Sequence, residues 1–132
     1  MNAVIVGVTL GLVIIGMIAL LKQLNKHIIY GLILCAIGFL YVGFTWTDRT
    51  SFIVCCLQAV VFLFIAYFGS QQRMMLLGAG YFLHGIWDLA YSQISSSGLI
   101  PPHYDLFCLA IDFTMGLYLI IIAYRQKTSA TL

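Results

Sequence analysis

Charge is what this chain lacks. Of its 132 residues, four are acidic and six are basic, and charged residues make up only 8%. Hydrophobic residues make up 63%, and mean hydropathy is +1.07. So few polar groups cannot cover the interior of a water-soluble domain of this length, so lipid is the expected solvent. The net charge of +2 is too weak to draw nucleic acid, and no such partner is expected. Four cysteines, Cys35, Cys55, Cys56 and Cys108, all lie in apolar runs without CxxC spacing. They read as small buried hydrophobes, with no disulfide framework. The two prolines, Pro101 and Pro102, stand together. They close a loop, and a helix is expected to begin just after them. No phosphate-cradling glycine loop, dinucleotide motif or nucleophilic triad is present.

What the chain has is apolar length. A spanning helix needs roughly 20 mostly apolar residues, and five windows qualify: about 2–21, 28–46, 52–70, 74–93 and 104–124. The expectation is an all-α polytopic membrane protein, one transmembrane domain over residues 1–132, built as a five-transmembrane-helix up-down bundle. Short links favour antiparallel neighbours, and only the link between the fourth and fifth runs is longer. Five spans cannot divide into equal inverted halves, which argues against a transporter built from inverted repeats. The first run has no basic residue before it and no small-x-small site after it, so it reads as a mature helix and not a secretory signal. Lys22, Lys26, Arg73, Arg125 and Lys127 fall on one face of the bundle and Arg49 alone on the other. The positive-inside rule then expects a bacterial inner (cytoplasmic) membrane with the N-terminus outside and the C-terminus cytoplasmic.

Gly7 and Gly11 form a GxxxG pair in the first helix, with Gly16 beyond, and Gly31, Gly38, Gly43, Gly78 and Gly80 punctuate later ones. Small residues let helices approach closely. The Gly7/Gly11 face serves either packing within the chain or a homo-dimer. Tyr41, Trp46, Tyr91 and Tyr104 read as an outer interfacial belt, with Tyr30 and Tyr124 as an inner one. Gln58 reads as a hydrogen-bonding group between helices or part of a cavity wall. His27, beside Lys26, reads as solvated.

Against this background, ionisable residues inside the apolar runs stand out. His84 and Asp88 sit in the fourth run and Asp112 in the fifth. A charge at bilayer depth costs at least about 2.5–3.5 kcal/mol on insertion scales, so such a residue marks a candidate functional site. His84 and Asp88 are four apart and share a helix face, with Tyr81 and Tyr91 on the same stripe and Trp87 just off it. Asp105, Cys108 and Asp112 form a second stripe. At 1.5 Å per residue, His84 lies roughly 14 Å from the outer end of its helix and Asp112 roughly 12 Å from that of its own. If the stripes face each other, His84, Asp88 and Asp112 converge. His103 and Asp105 stand at the mouth, where Asp105 also meets the positive end of the helix dipole.

The chemistry of this set is broad. One imidazole with two or three carboxylates suits a divalent metal such as zinc, iron or manganese, which with an open position would activate water or polarise a carbonyl. Without metal, it is a proton-relay or acid–base arrangement. A buried His–Asp pair also serves as plain structural glue between helices. Haem is not expected, because no second histidine lies at the depth of His84.

The string HGIWDLAYS at 84–92, followed by PPHYDLFCLAIDF at 101–113, resembles a family of small multi-span bacterial membrane proteins of unknown function carrying an HGxWD helix string. The likeness covers the C-terminal third and implies a place for the site, with no reaction. The histidine-glycine-x-x-aspartate string is also similar to one in membrane carotene-cleaving oxygenases, where a histidine set holds iron. This chain is much shorter and lacks the further membrane histidines, so that activity is not carried over.

Three functions follow as expectations. The first is a pocket in the outer half of the bilayer, formed by His84, Asp88, Asp112, Asp105, His103 and Tyr81, that binds or passes a cation, proton or small amphipathic ligand. The second is an intramembrane enzyme, metal-dependent or acid–base, acting on a lipid or isoprenoid. The third is a non-catalytic subunit of a larger membrane complex.

Overall fold

The computed structural model describes residues 2–95 and 98–131, and these form five helices with no strand among the described residues. They are α1 (Ala3–Leu20), α2 (Lys26–Thr45), α3 (Arg49–Ser70), α4 (Met74–Ile94) and α5 (Tyr104–Ala130). The loop residues 96 and 97 lie outside the described set.

Polar caps set several of the boundaries. The Asn2 side chain accepts from the Val4 amide at 3.1 Å, and Asn25 accepts from the amides of His27 at 3.1 Å and Ile28 at 3.4 Å. Asp48 Oδ2 accepts from the Ser51 amide at 2.9 Å. An acceptor at the cap satisfies first-turn amides that have no helical partner. Consequently α2 and α3 begin two or three residues before their apolar runs. At the other end α5 continues to Ala130, beyond the expected 124, because the polar tail Arg125–Ala130 contains neither proline nor glycine to stop it. His103, at the start of α5, has φ +61°, the left-handed region that a non-glycine residue rarely adopts.

Asp48 also carries a pH signature. The Ser51 hydrogen bonds favour its ionised form and hold its carboxyl below the ordinary carboxylate range. Its stabilising contribution is therefore present above the unfolded value and is lost as pH falls through the lower folded one. Hydrogen exchange at the Ser51 amide should quicken, relative to the intrinsic rate, on acidification through that midpoint. In Asp48→Ala it should be fast at every pH.

Packing departs from simple chain order. The broadest helix contact is between α4 and α5, followed by α2 with α3 and α1 with α5; α4 also touches α3 and α2. The first helix therefore lies chiefly against the last and not against its successor. Gly7 and Gly11 explain why. A Cβ built on Gly7 would stand 2.5 Å from the Phe107 carbonyl oxygen and 2.9 Å from Ala110 Cβ, and one on Gly11 would stand 3.2 Å from Thr114 Cβ. The GxxxG face is thus filled by α5 of the same chain.

Four helices, α1, α2, α3 and α5, are long and apolar enough to cross a membrane. Helix α4, at 21 residues, is long enough but has no window as apolar, and it carries His84 and Asp88 within its run. Those two side chains are 1% and 0% exposed. The one helix without a sufficiently apolar window is therefore the one whose polar groups are enclosed by its neighbours. Below this level Tyr30, Leu34, Leu77, Tyr81, Met115 and Leu119 form the main core. Above it Tyr41, Cys55 and Tyr91 form a smaller one.

The tyrosines correct one expectation. Trp46 and Tyr124 are well exposed, but Tyr30, Tyr41 and Tyr91 are at most 3% exposed. Hydropathy gives the position of a residue along its helix, and helix rotation decides whether it faces outward or meets a neighbour.

Candidate functional site

His84, near the middle of α4, is the hub. Its Nδ1 lies 2.7 Å from Asp112 Oδ2 on α5 and 3.4 Å from Asp88 Oδ2, one turn along α4. The first distance is that of a charge-assisted hydrogen bond; the second is a looser contact to the same nitrogen. Asp112 is 1% exposed. One donor atom from each of the three residues lies within 4.8 Å of the others. The convergence expected from helix register is thus present in the fold.

Close helix approach makes it so. A Cβ on Gly78 would stand 3.1 Å from the Gly116 carbonyl oxygen, and a Cβ on Gly116 would stand 3.0 Å from that of Gly78. The α4 and α5 backbones therefore touch at this pair, six residues before His84 and four after Asp112. Gly85, next to His84, faces the Phe113 ring, which a Cβ would meet at 3.0 Å. The Phe62 ring from α3 stands edge-on to the imidazole, with centroids 4.8 Å apart and planes at 71°.

Much of the hydrogen-bonding capacity of the cluster is unused. His84 Nε2, both Asp88 oxygens and Asp112 Oδ1 are buried without a hydrogen-bond partner. The Tyr41 hydroxyl on α2 faces Asp88, but it too lacks a well-formed hydrogen bond. Leaving such buried groups unsatisfied costs about 1–3 kcal/mol each. All six lysine and arginine residues lie at helix ends or in loops, away from the cluster. Two carboxylates with a neutral imidazole carry −2, and with an imidazolium −1. No side chain nearby brings the total to zero.

The other residues singled out in the sequence occupy distinct places. The Tyr81 hydroxyl donates to the Tyr30 carbonyl at 2.7 Å, so Tyr81 forms the floor beside Asp112. His103 and Asp105 line a separate cavity at the α4–α5 loop, with Tyr41 between them and the cluster. Gln58 is placed to bridge helices: with its amide turned so that the NH₂ points inward, it donates to Gly38 O on α2 at 3.1 Å and to Cys55 O on its own helix at 3.2 Å. The four cysteines are free. The sequence does not mark Tyr41 as a site residue, because its position near the end of an apolar run is also that of a belt tyrosine.

The class is thus a small helical protein with a histidine–dicarboxylate cluster buried at a tight glycine crossing. The chain belongs to a family described as a family of unknown function (DUF6010), whose model matches residues 2–125. No curated protein and no solved structure matches it.

Proposed function

We propose that this protein is an integral membrane protein that binds a cation, a proton or a divalent metal ion, at His84, Asp88 and Asp112. The observation that carries the reading is the charge balance of the cluster. Two carboxyl groups and one imidazole are buried together with no basic side chain to neutralise them. Burying uncompensated charge costs several kcal/mol per ion. A cation removes that cost and occupies the unused donor positions. Two protons or one divalent ion would each bring the set to neutrality. Imidazole and carboxylate donors suit zinc, iron or manganese.

Membrane placement is supported by the apolar exterior, including Ile5, Leu20, Leu57 and Ile94, each more than 60% exposed. In this reading α4 also crosses the membrane, its polar side chains sheltered by α2, α3 and α5. The clustering of Lys22, Lys26, Arg73, Arg125 and Lys127 favours a cytoplasmic face at that end of a bacterial inner membrane. The cluster then lies nearer the outer side.

The test is direct. Purified wild-type protein is assayed for bound zinc, iron and manganese, and proton release on unfolding is measured in parallel. Wild type should hold one metal ion, or retain protons that Asp112→Asn lacks. In the metal case Asp112→Asn should lose more affinity than the about 10–100-fold typical of outer-shell changes. Protein with no bound metal, and with proton release on unfolding unchanged in Asp112→Asn, overturns the reading.

One observation favours a second reading, an enzyme acting on a lipid or isoprenoid. An apolar crevice of about 290 Å³ between α3 and α4, lined by Gln58, Val61, Phe62, Leu83, Ile86, Trp87 and Ala90, reaches the Phe62 ring that covers His84. This reading requires turnover of an acyl or polyprenyl substrate that is lost in His84→Ala.

A further inference from the structure

The cluster is not enclosed equally in both directions. Towards the Lys26 end of α2 and the Met74 end of α4, it is followed by Tyr81, Leu34, Leu77, Met115 and Leu119, each at most 1% exposed. The Tyr81 hydroxyl is engaged on the Tyr30 carbonyl, which fixes this floor. Beyond Tyr81 the Tyr30 hydroxyl is buried as well, among these apolar side chains.

Towards the opposite end the situation differs. A cavity of about 210 Å³ opens at the α4–α5 loop, with Ser92, His103 and Asp105 in its wall. Tyr41 also lines it. Its hydroxyl is buried and faces Asp88 on the inner side, without a well-formed hydrogen bond. Among the described residues lining this cavity, Tyr41 is the one whose hydroxyl faces Asp88, with Tyr104 and Cys108 packed beside it on the cluster side. Its ring is held by edge-on contacts to Tyr91 at 5.3 Å and Tyr104 at 6.1 Å. Edge-on arrangements at these separations are a preferred geometry of aromatic pairs.

We propose that this cavity is the aqueous entrance to the His84–Asp88–Asp112 cluster and that Tyr41 is its gate, so that the cluster exchanges its cation with one side of the membrane only. The proposal rests on the cation-binding reading. It makes the protein a one-sided binder and not a through-channel, and it gives His103 and Asp105 a place on the approach path.

The native Cys108 reports on the gate. It lies one turn before Asp112 on α5, is 6% exposed, and is close to Asp88 and Tyr104. Full-length protein in phosphatidylcholine vesicles is treated with a small charged thiosulfonate from either side, and modified cysteines are mapped by peptide mass spectrometry. Cys108 should react slowly in wild type. In Tyr41→Ala it should react at least about tenfold faster, and only from the side of the α4–α5 loop, because access to a buried group follows the free energy of local opening. Cys35, on α2 towards the other end, should not change. Unchanged Cys108 reactivity in folded Tyr41→Ala, or equal reactivity from both sides, overturns the proposal.

If Tyr41→Ala does not fold, Ser92→Cys and Met115→Cys carry the test with Tyr41 intact. Cys at 92 should react quickly from the loop side alone, and Cys at 115 from neither side. Reaction at 115 from the opposite side overturns the proposal. Labelling measures water access and needs no bound cation, so it can fail while the cluster binds metal or protons, and succeed while it binds neither.

Discussion

His84→Leu should destabilise the protein by about 3–5 kcal/mol, the cost of removing one partner from a buried ionic set. It should also abolish cation binding. The imidazole nitrogen that approaches both carboxyls disappears, leaving Asp88 and Asp112, 0% and 1% exposed, facing each other across an apolar side chain. The informative comparison is the variant in which His84, Asp88 and Asp112 are all leucine. Replacing a whole buried ionic set with apolar residues of similar volume is often neutral or stabilising, by about 1–4 kcal/mol. The triple variant should therefore recover most of the lost stability without recovering cation binding. Unfolding in detergent by a titrated denaturant reads the first quantity and metal or proton uptake the second. Recovery of stability without binding means that the cluster is retained for its chemistry. A triple variant as unstable as His84→Leu means that it is glue between α4 and α5, and the cation-binding reading loses its support.

The contrast between what sequence and structure reveal follows from helix geometry. Depth along a helix is a count of residues, so the match between His84 and Asp112 was legible, and the 2.7 Å contact bears out the register argument. Rotation about the helix axis is set by packing partners, which a single sequence does not name. For that reason Tyr41, counted as an interfacial residue, turned out to be buried 1% exposed beside Asp88, whereas Trp46, five positions on, is 73% exposed. Partner choice was equally hidden. The short α1–α2 link suggested neighbours, but close approach at Gly7 pairs α1 with α5, far away in the chain. Glycine spacing advertised a tight contact and was silent about its other half. Boundaries moved for a local reason that the sequence did contain, since Asn25 and Asp48 are cap residues placed just ahead of α2 and α3.

The tight contact at Gly78 leads to the second large effect. Gly78→Val should cost about 1–3 kcal/mol through overpacking, and it should separate His84 from Asp112. A Cβ at this position would stand 2.7 Å from Ile120 Cγ1, 3.1 Å from the Gly116 carbonyl oxygen and 3.3 Å from the Ile120 amide nitrogen. The isoleucine side chain can turn away, but the two backbone atoms move only if α5 moves. The hydrogen bond from His84 to Asp112 spans that same α4–α5 gap, so widening it by a fraction of an ångström weakens a 2.7 Å contact while leaving the 3.4 Å contact to Asp88, on the same helix, in place. Valine at Gly16, where an added Cβ meets nothing within 4 Å, is the control. It should leave cation binding as in wild type. Gly78→Val, even where it remains folded, should bind metal or retain protons more weakly than wild type. If binding is unchanged in folded Gly78→Val, close approach of the two backbones is not what holds the site together, and the dependence of the cluster on its glycine crossing is wrong.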